Sequence, residues 1–115
     1  MKIICLKCNV EISKQVTKLD DVSLLNENDG EAYIPEGFFT IEKFGERDSI
    51  IINLKDLINS NHHSDESRLN GCCGYDGLDG MNRVCVNKHE IGTENSECWM
   101  PHYIALDLVL VKLVK

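Results

Sequence analysis

"LNGCCGYDGLDGMNRVC", residues 69–85, sets two cysteines side by side and repeats glycine at 71, 74, 77 and 80. That spacing suits neither a helix nor a strand, because each glycine adds backbone entropy that folding must remove. The stretch lies in a region expected to be irregular from about residue 59 to about 98. A loop of that length inside a compact domain needs a stabiliser of its own. What orders it decides the kind of fold the chain adopts.

The stabiliser is sought first among metal ligands. The chain holds Cys5, Cys8, Cys72, Cys73, Cys85 and Cys98 with His62, His63, His89 and His102, and none of them falls between residues 9 and 61. Cysteines serving only as small core hydrophobes would spread along the strands instead. "CLKC", residues 5–8, is a Cys-x-x-Cys turn able to present two thiolates to one ion. It lacks the following helix that a thioredoxin-like redox motif requires. "CVNKH", residues 85–89, offers a second turn. Cys5, Cys8, Cys85 and His89 would then complete a Cys₃His zinc tetrahedron joining the N-terminus to the loop. Structural zinc contributes about 10–16 kcal/mol of apparent binding free energy, against about 1 kcal/mol for each ordered glycine. A second centre can be assembled from Cys72, Cys73, Cys98 and either His63 or His62, provided the backbone turns sharply at Gly71 and Gly74. A structural role without metal is the competing reading for these residues, and a solvated surface histidine is the competing reading for His89.

Other chemistries fit poorly. Asp76, Asp79 and Asn82 are three residues apart, not at the alternate positions of a calcium loop. "HE" at 89–90 has no downstream histidine for a HExxH hydrolase. Pro101 interrupts any helical turn that would pair Cys98 with His102. Neither a P-loop nor a dinucleotide fingerprint is present, so catalytic residues are not assigned.

The remainder of the chain reads as alternating segments. "MKIICLKCNVEI" suggests a strand, the cysteine turn and a second strand, and residues 16–25 carry a weak helical spacing. Pro35–Gly37 turns the chain into a strand with Phe39 and Ile41 on one face, and "SIIIN" makes a short buried strand. Asn53 is placed to cap a short helix running to about Ser60, and the last twelve residues read as one terminal strand. The expected fold class is α+β: a single domain over residues 1–115, with an antiparallel sheet, one or two short helices and a metal-stapled Cys/Gly-rich loop.

With 12 Lys and Arg against 19 Asp and Glu, the net charge is −7 and no basic cluster exists to engage phosphates. Nucleic acid is therefore not the expected partner; a basic protein suits this field better. The apolar run in "MKIICLK" is too short for a signal-peptide core, and no segment has transmembrane length. These features point to the cytoplasm, where thiols stay reduced and bind metal before they form disulfides.

Cys5-x-x-Cys8, "HH" at 62–63, "LNGCCGYDGLDGMN" at 69–82, Cys85 and "EIGTENSECWMPH" at 90–102 together resemble a group of small bacterial proteins of zinc-ribbon type with no established activity. That resemblance implies a second cysteine two residues after Cys85, followed by glycine. Here Asn87 and Lys88 stand at those positions, so either His89 supplies the fourth ligand or the first site is degenerate. The function expected is a zinc-binding protein-interaction module, its concrete form an immunity protein against a basic toxin such as a nuclease. A metal-dependent enzyme with an open zinc site and a thiol redox sensor are the alternatives.

Overall fold

In a computed structural model describing residues 1–115, the chain builds nine strands and three single 3-10 turns. In chain order the strands are β1 (Lys2–Cys5), β2 (Thr17–Lys18), β3 (Phe38–Phe44), β4 (Arg47–Ile52) and β5 (Ser60–His62), then β6 (Arg83–Cys85), β7 (Glu90–Asn95), β8 (Tyr103–Asp107) and β9 (Val111–Val114). Strands β1 and β9 pair antiparallel as a two-stranded sheet; the others form a seven-stranded sheet in the order β2-β3-β4-β8-β7-β6-β5. Every pairing in the larger sheet is antiparallel except β2 with β3.

The α+β expectation is overturned, because no α-helix forms. Asn53 does act as a cap, its side chain accepting from the Lys55 N–H at 2.8 Å. Yet only Leu54–Asp56 turns, as a 3-10 segment, before Leu57 returns to extended backbone. Two tertiary bonds win over helix propagation here. The Ile58 N–H donates to the Ile12 carbonyl at 2.9 Å, and the Asp56 carboxylate accepts the Gly37 N–H at 2.8 Å. A helix this short gains too few internal bonds to resist such competition. The weak helical spacing at 16–25 likewise resolves into β2 and a 3-10 turn at Val22–Leu24.

Two further expectations change. The region read as irregular contains β5, β6 and β7, and the terminal segment is split by a turn into β8 and β9, which belong to different sheets. Strand β7 was obscured because its outward pattern, "EIGTEN", mixes Gly92 and two carboxylates into a buried strand. A Cβ on Gly92 would overlap the Ala105 carbonyl on β8, so glycine sets how closely these strands approach. Of the β3 residues expected on one face, Phe39 is buried, whereas Ile41 remains 46% exposed at the sheet margin.

One shared core holds the sheets together. Ile3, Cys5 and Val111 of the small sheet pack with Phe39, Ile50, Ile52, Cys85, Ile91, Ile104 and Leu106 of the large one. On the opposite face Ile51 and Ala105 form a smaller cluster with Leu19 and Ile34, as the two-residue alternation of strands dictates.

The β6–β7 pairing slips between Arg83 and Val84, leaving a bulge. Asn82, with no solvent exposure, closes it. Its side chain accepts the Glu94 N–H at 2.6 Å and donates to the Glu94 carbonyl at 3.0 Å, replacing the partners the bulge removes. Asn82→Ala would leave both groups buried and unpaired, so a loss of about 1–3 kcal/mol is expected in urea denaturation.

Candidate metal centre

Two turns facing each other build the site. At the end of β1, the Asn9 N–H donates to the Cys5 carbonyl at 2.8 Å and the Cys5 N–H to the Val10 carbonyl at 3.0 Å, closing a tight loop with both thiols on its inner side. Asn9 takes φ 60°, a left-handed conformation that asparagine tolerates well. At the end of β6, the Lys88 N–H donates to the Cys85 carbonyl and the Cys85 N–H to the His89 carbonyl, both at 2.8 Å. Lys88 takes φ 68°. Glycine would adopt this left-handed backbone without strain.

The donor atoms converge. Cys8 Sγ lies 3.8 Å from Cys85 Sγ, and His89 Nδ1 lies 3.7 Å from Cys5 Sγ and 3.4 Å from Cys85 Sγ. All four donors fall within 4.8 Å of one another. Zinc bonds of about 2.3 Å to sulfur and about 2.0 Å to nitrogen give a regular tetrahedron edges of about 3.8 Å and 3.5 Å. The donor set therefore fits a single tetrahedral ion, closed on all four sides. Its surroundings are apolar, since Cys5 and Cys85 are both buried members of the core.

The two cysteines of the first turn differ electrostatically. Burial pushes the Cys5 thiol up, against the backbone N–H groups of Lys7 and Cys8. The Cys8 thiol is drawn down to about 6, first by a hydrogen bond from the Asn87 side chain, with the Val10 N–H and His89 adding to it.

The residues expected at a second centre divide. Cys73 and Cys98 come together with their Cα atoms 6.0 Å apart, joined as a disulfide, while Cys72 is free and exposed. His63 is not with them: its Nε2 is 3.1 Å from Glu90 and its Nδ1 accepts the Asp65 N–H. His62 pairs with Glu94 at 3.2 Å. The third donor beside Cys73 and Cys98 is Glu97, and these three could hold an ion once the cysteines are reduced.

Glu97 is also what anchors the glycine-rich loop. Its carboxylate accepts the N–H groups of Cys72, Cys73 and Cys98. Burial opposes its ionisation, but these three donors outweigh it and hold the carboxyl below its ordinary range. Beside it, the Tyr75 and Ser96 backbones approach so closely that a Cβ on Gly74 would overlap the Ser96 carbonyl. Gly71 and Gly74 are required because backbones touch there, whereas Gly77 and Gly80 take positive φ beside side chains. The sequence holds only a faint signal for Glu97, its place next to Cys98 in "SECW".

No protein-family model, curated protein or solved structure matches this chain.

Two outcomes follow from these environments. In metal-free protein, Cys8 is expected to be the fastest-alkylating thiol at neutral pH, with a rate midpoint near pH 6 that Asn87→Ala moves upward. Glu97 contributes stability above the unfolded carboxyl value of about 4.3 that is lost as pH falls through its lower folded value. Glu97→Gln should remove that acid-side transition and speed amide exchange at Cys72, Cys73 and Cys98.

Proposed function

We propose that this chain is a zinc-stapled protein-interaction domain whose metal is structural and whose partner is a basic protein. The observation that carries this reading is the closed donor set of Cys5, Cys8, Cys85 and His89. Four protein ligands leave no coordination position for substrate, whereas catalytic zinc keeps one open. A structural ion here joins the turn after β1 to the turn after β6, and so fastens the small sheet to the large one.

The partner class rests on charge. A net charge of −7 favours encounter with a positively charged surface and makes association sensitive to salt. An immunity protein neutralising a basic toxin such as a nuclease is the concrete form of this reading, acting in the cytoplasm. No helix of the chain is long and apolar enough to cross a membrane.

A thiol redox sensor is the second reading, supported by the Cys73–Cys98 disulfide next to the free, exposed Cys72. It concerns a different set of cysteines and leaves the first centre intact.

Protein purified without added metal should carry one zinc per chain. Chelation should lower the melting temperature by at least about 15 °C, because a ligand bound only by the folded state stabilises it by mass action. Cys85→Ala should lose the zinc and match the stripped protein. An unchanged melting temperature after complete zinc removal would exclude the structural role. A partner complex that does not weaken between low and high salt would exclude the electrostatic one.

A further inference from the structure

On the face of the large sheet opposite the metal centre, Tyr33, Phe44 and Tyr103 pack against the cluster around Ile51 and Ala105. Tyr103 is the common neighbour. Its ring centroid is 5.3 Å from that of Tyr33, with the planes at 51°, and 6.2 Å from that of Phe44, edge to face at 80°. Together with Glu27, Glu42 and Pro101, the three rings line a cavity of about 350 Å³.

The carboxylate of Glu42 is fixed within this wall. The Tyr33 hydroxyl donates to it, 2.9 Å from one oxygen and 3.0 Å from the other. One proton shared between two oxygens leaves most of the carboxylate's acceptor capacity, and all of its charge, directed at the cavity. The only cationic side chain at the rim is Lys43, whose ammonium lies 3.0 Å from Asp48.

We propose that this cavity binds an alkylated ammonium cation, the chemistry shared by free quaternary amines and methylated lysine side chains. Aromatic faces carry negative electrostatic potential and attract a cation over the ring. Glu42 adds a full negative charge, and Glu27 a second at the mouth. An anion is repelled by both. A neutral apolar ligand gains the ring contacts but strips water from Glu42 without compensation. An unmodified ammonium is strongly hydrated, so aromatic walls favour one whose charge is spread over alkyl groups. The volume lies near the lower bound of about 300 Å³ for ligand cavities, enough for a head group and a short stem. The field of Glu42 reaches both phenols: burial first, then Glu42, pushes Tyr33 and Tyr103 above the ordinary tyrosine range. This inference goes beyond the metal reading and does not depend on it, since the cavity shares no residue with the metal centre.

The test is a titration of the full-length, metal-loaded protein with choline and with its uncharged isostere 3,3-dimethylbutan-1-ol, at constant ionic strength, following the tyrosine ring resonances by NMR. Choline is expected to shift the Tyr33 and Tyr103 signals saturably, with the isostere weaker by about tenfold or more. Glu42→Gln retains an acceptor for Tyr33, and it should weaken choline by a similar factor while leaving the isostere unchanged. Tyr33→Phe keeps the ring and should retain choline binding, which separates loss of the site from loss of the fold. Equal response to choline and isostere, no response to choline, or unaltered binding by Glu42→Gln would overturn the proposal. A trimethyl-lysine peptide run in parallel names the source: tighter binding than choline assigns the site to a protein side chain, weaker binding to a free amine.

Discussion

Four donor atoms from two turns, with Cys5 and His89 separated by 84 residues of chain, occupy the corners of one small tetrahedron. This convergence sets the turn after β1 directly against the turn after β6. The small sheet is otherwise connected to the large one by the core they share and by the turn between β8 and β9. Bonds such as that from the Leu6 N–H to the Leu110 carbonyl, at 3.0 Å, bring the first turn against the β8–β9 turn. Without an ion, the buried Cys5 thiol is held in its neutral form by desolvation. With an ion, the thiolate charge becomes the binding energy. The burial that raises the Cys5 thiol places two of the four donors, Cys5 and Cys85, inside the core.

The opposite half of the chain is ordered by a different means. The glycine-rich stretch is seated by backbone contact against the end of β7 and by three N–H groups converging on Glu97. Metal was the expected cause of order here, because a run of glycines has no side chains with which to pack. Close approach of two backbones is the alternative use of glycine, and it leaves no mark in hydrophobic periodicity. The aspartates of "DGLDG" then act as turn formers, Asp76 accepting the Leu78 N–H at 3.0 Å.

The part of the site legible in the sequence was the part fixed by covalent spacing. Cys5 and Cys8 on one turn, and Cys85 and His89 on another, could be paired because local geometry dictates which side chains share a face. Asn53 was legible as a cap for the same reason, but the length of what it caps was not. Helix or 3-10 turn is decided there by Ile12 and Gly37, which lie far away in the chain. Glu97 and Asn87 were invisible on similar grounds: a carboxylate or amide acquires its role from what is folded against it. Strand β7 was hidden because its buried polar residues depend on partners such as Asn82, which no two-residue alternation reveals.

The six cysteines end up in two settings with opposite chemical character. Cys5 and Cys85 are buried in the core. Cys73 and Cys98 lie exposed around Glu97, with Cys72 beside them. Cys72, whose backbone alone contacts the carboxylate, is the free, exposed thiol of that loop. Glu97 secures the loop through main-chain N–H groups, so order there rests on the backbone as well as on the sulfurs.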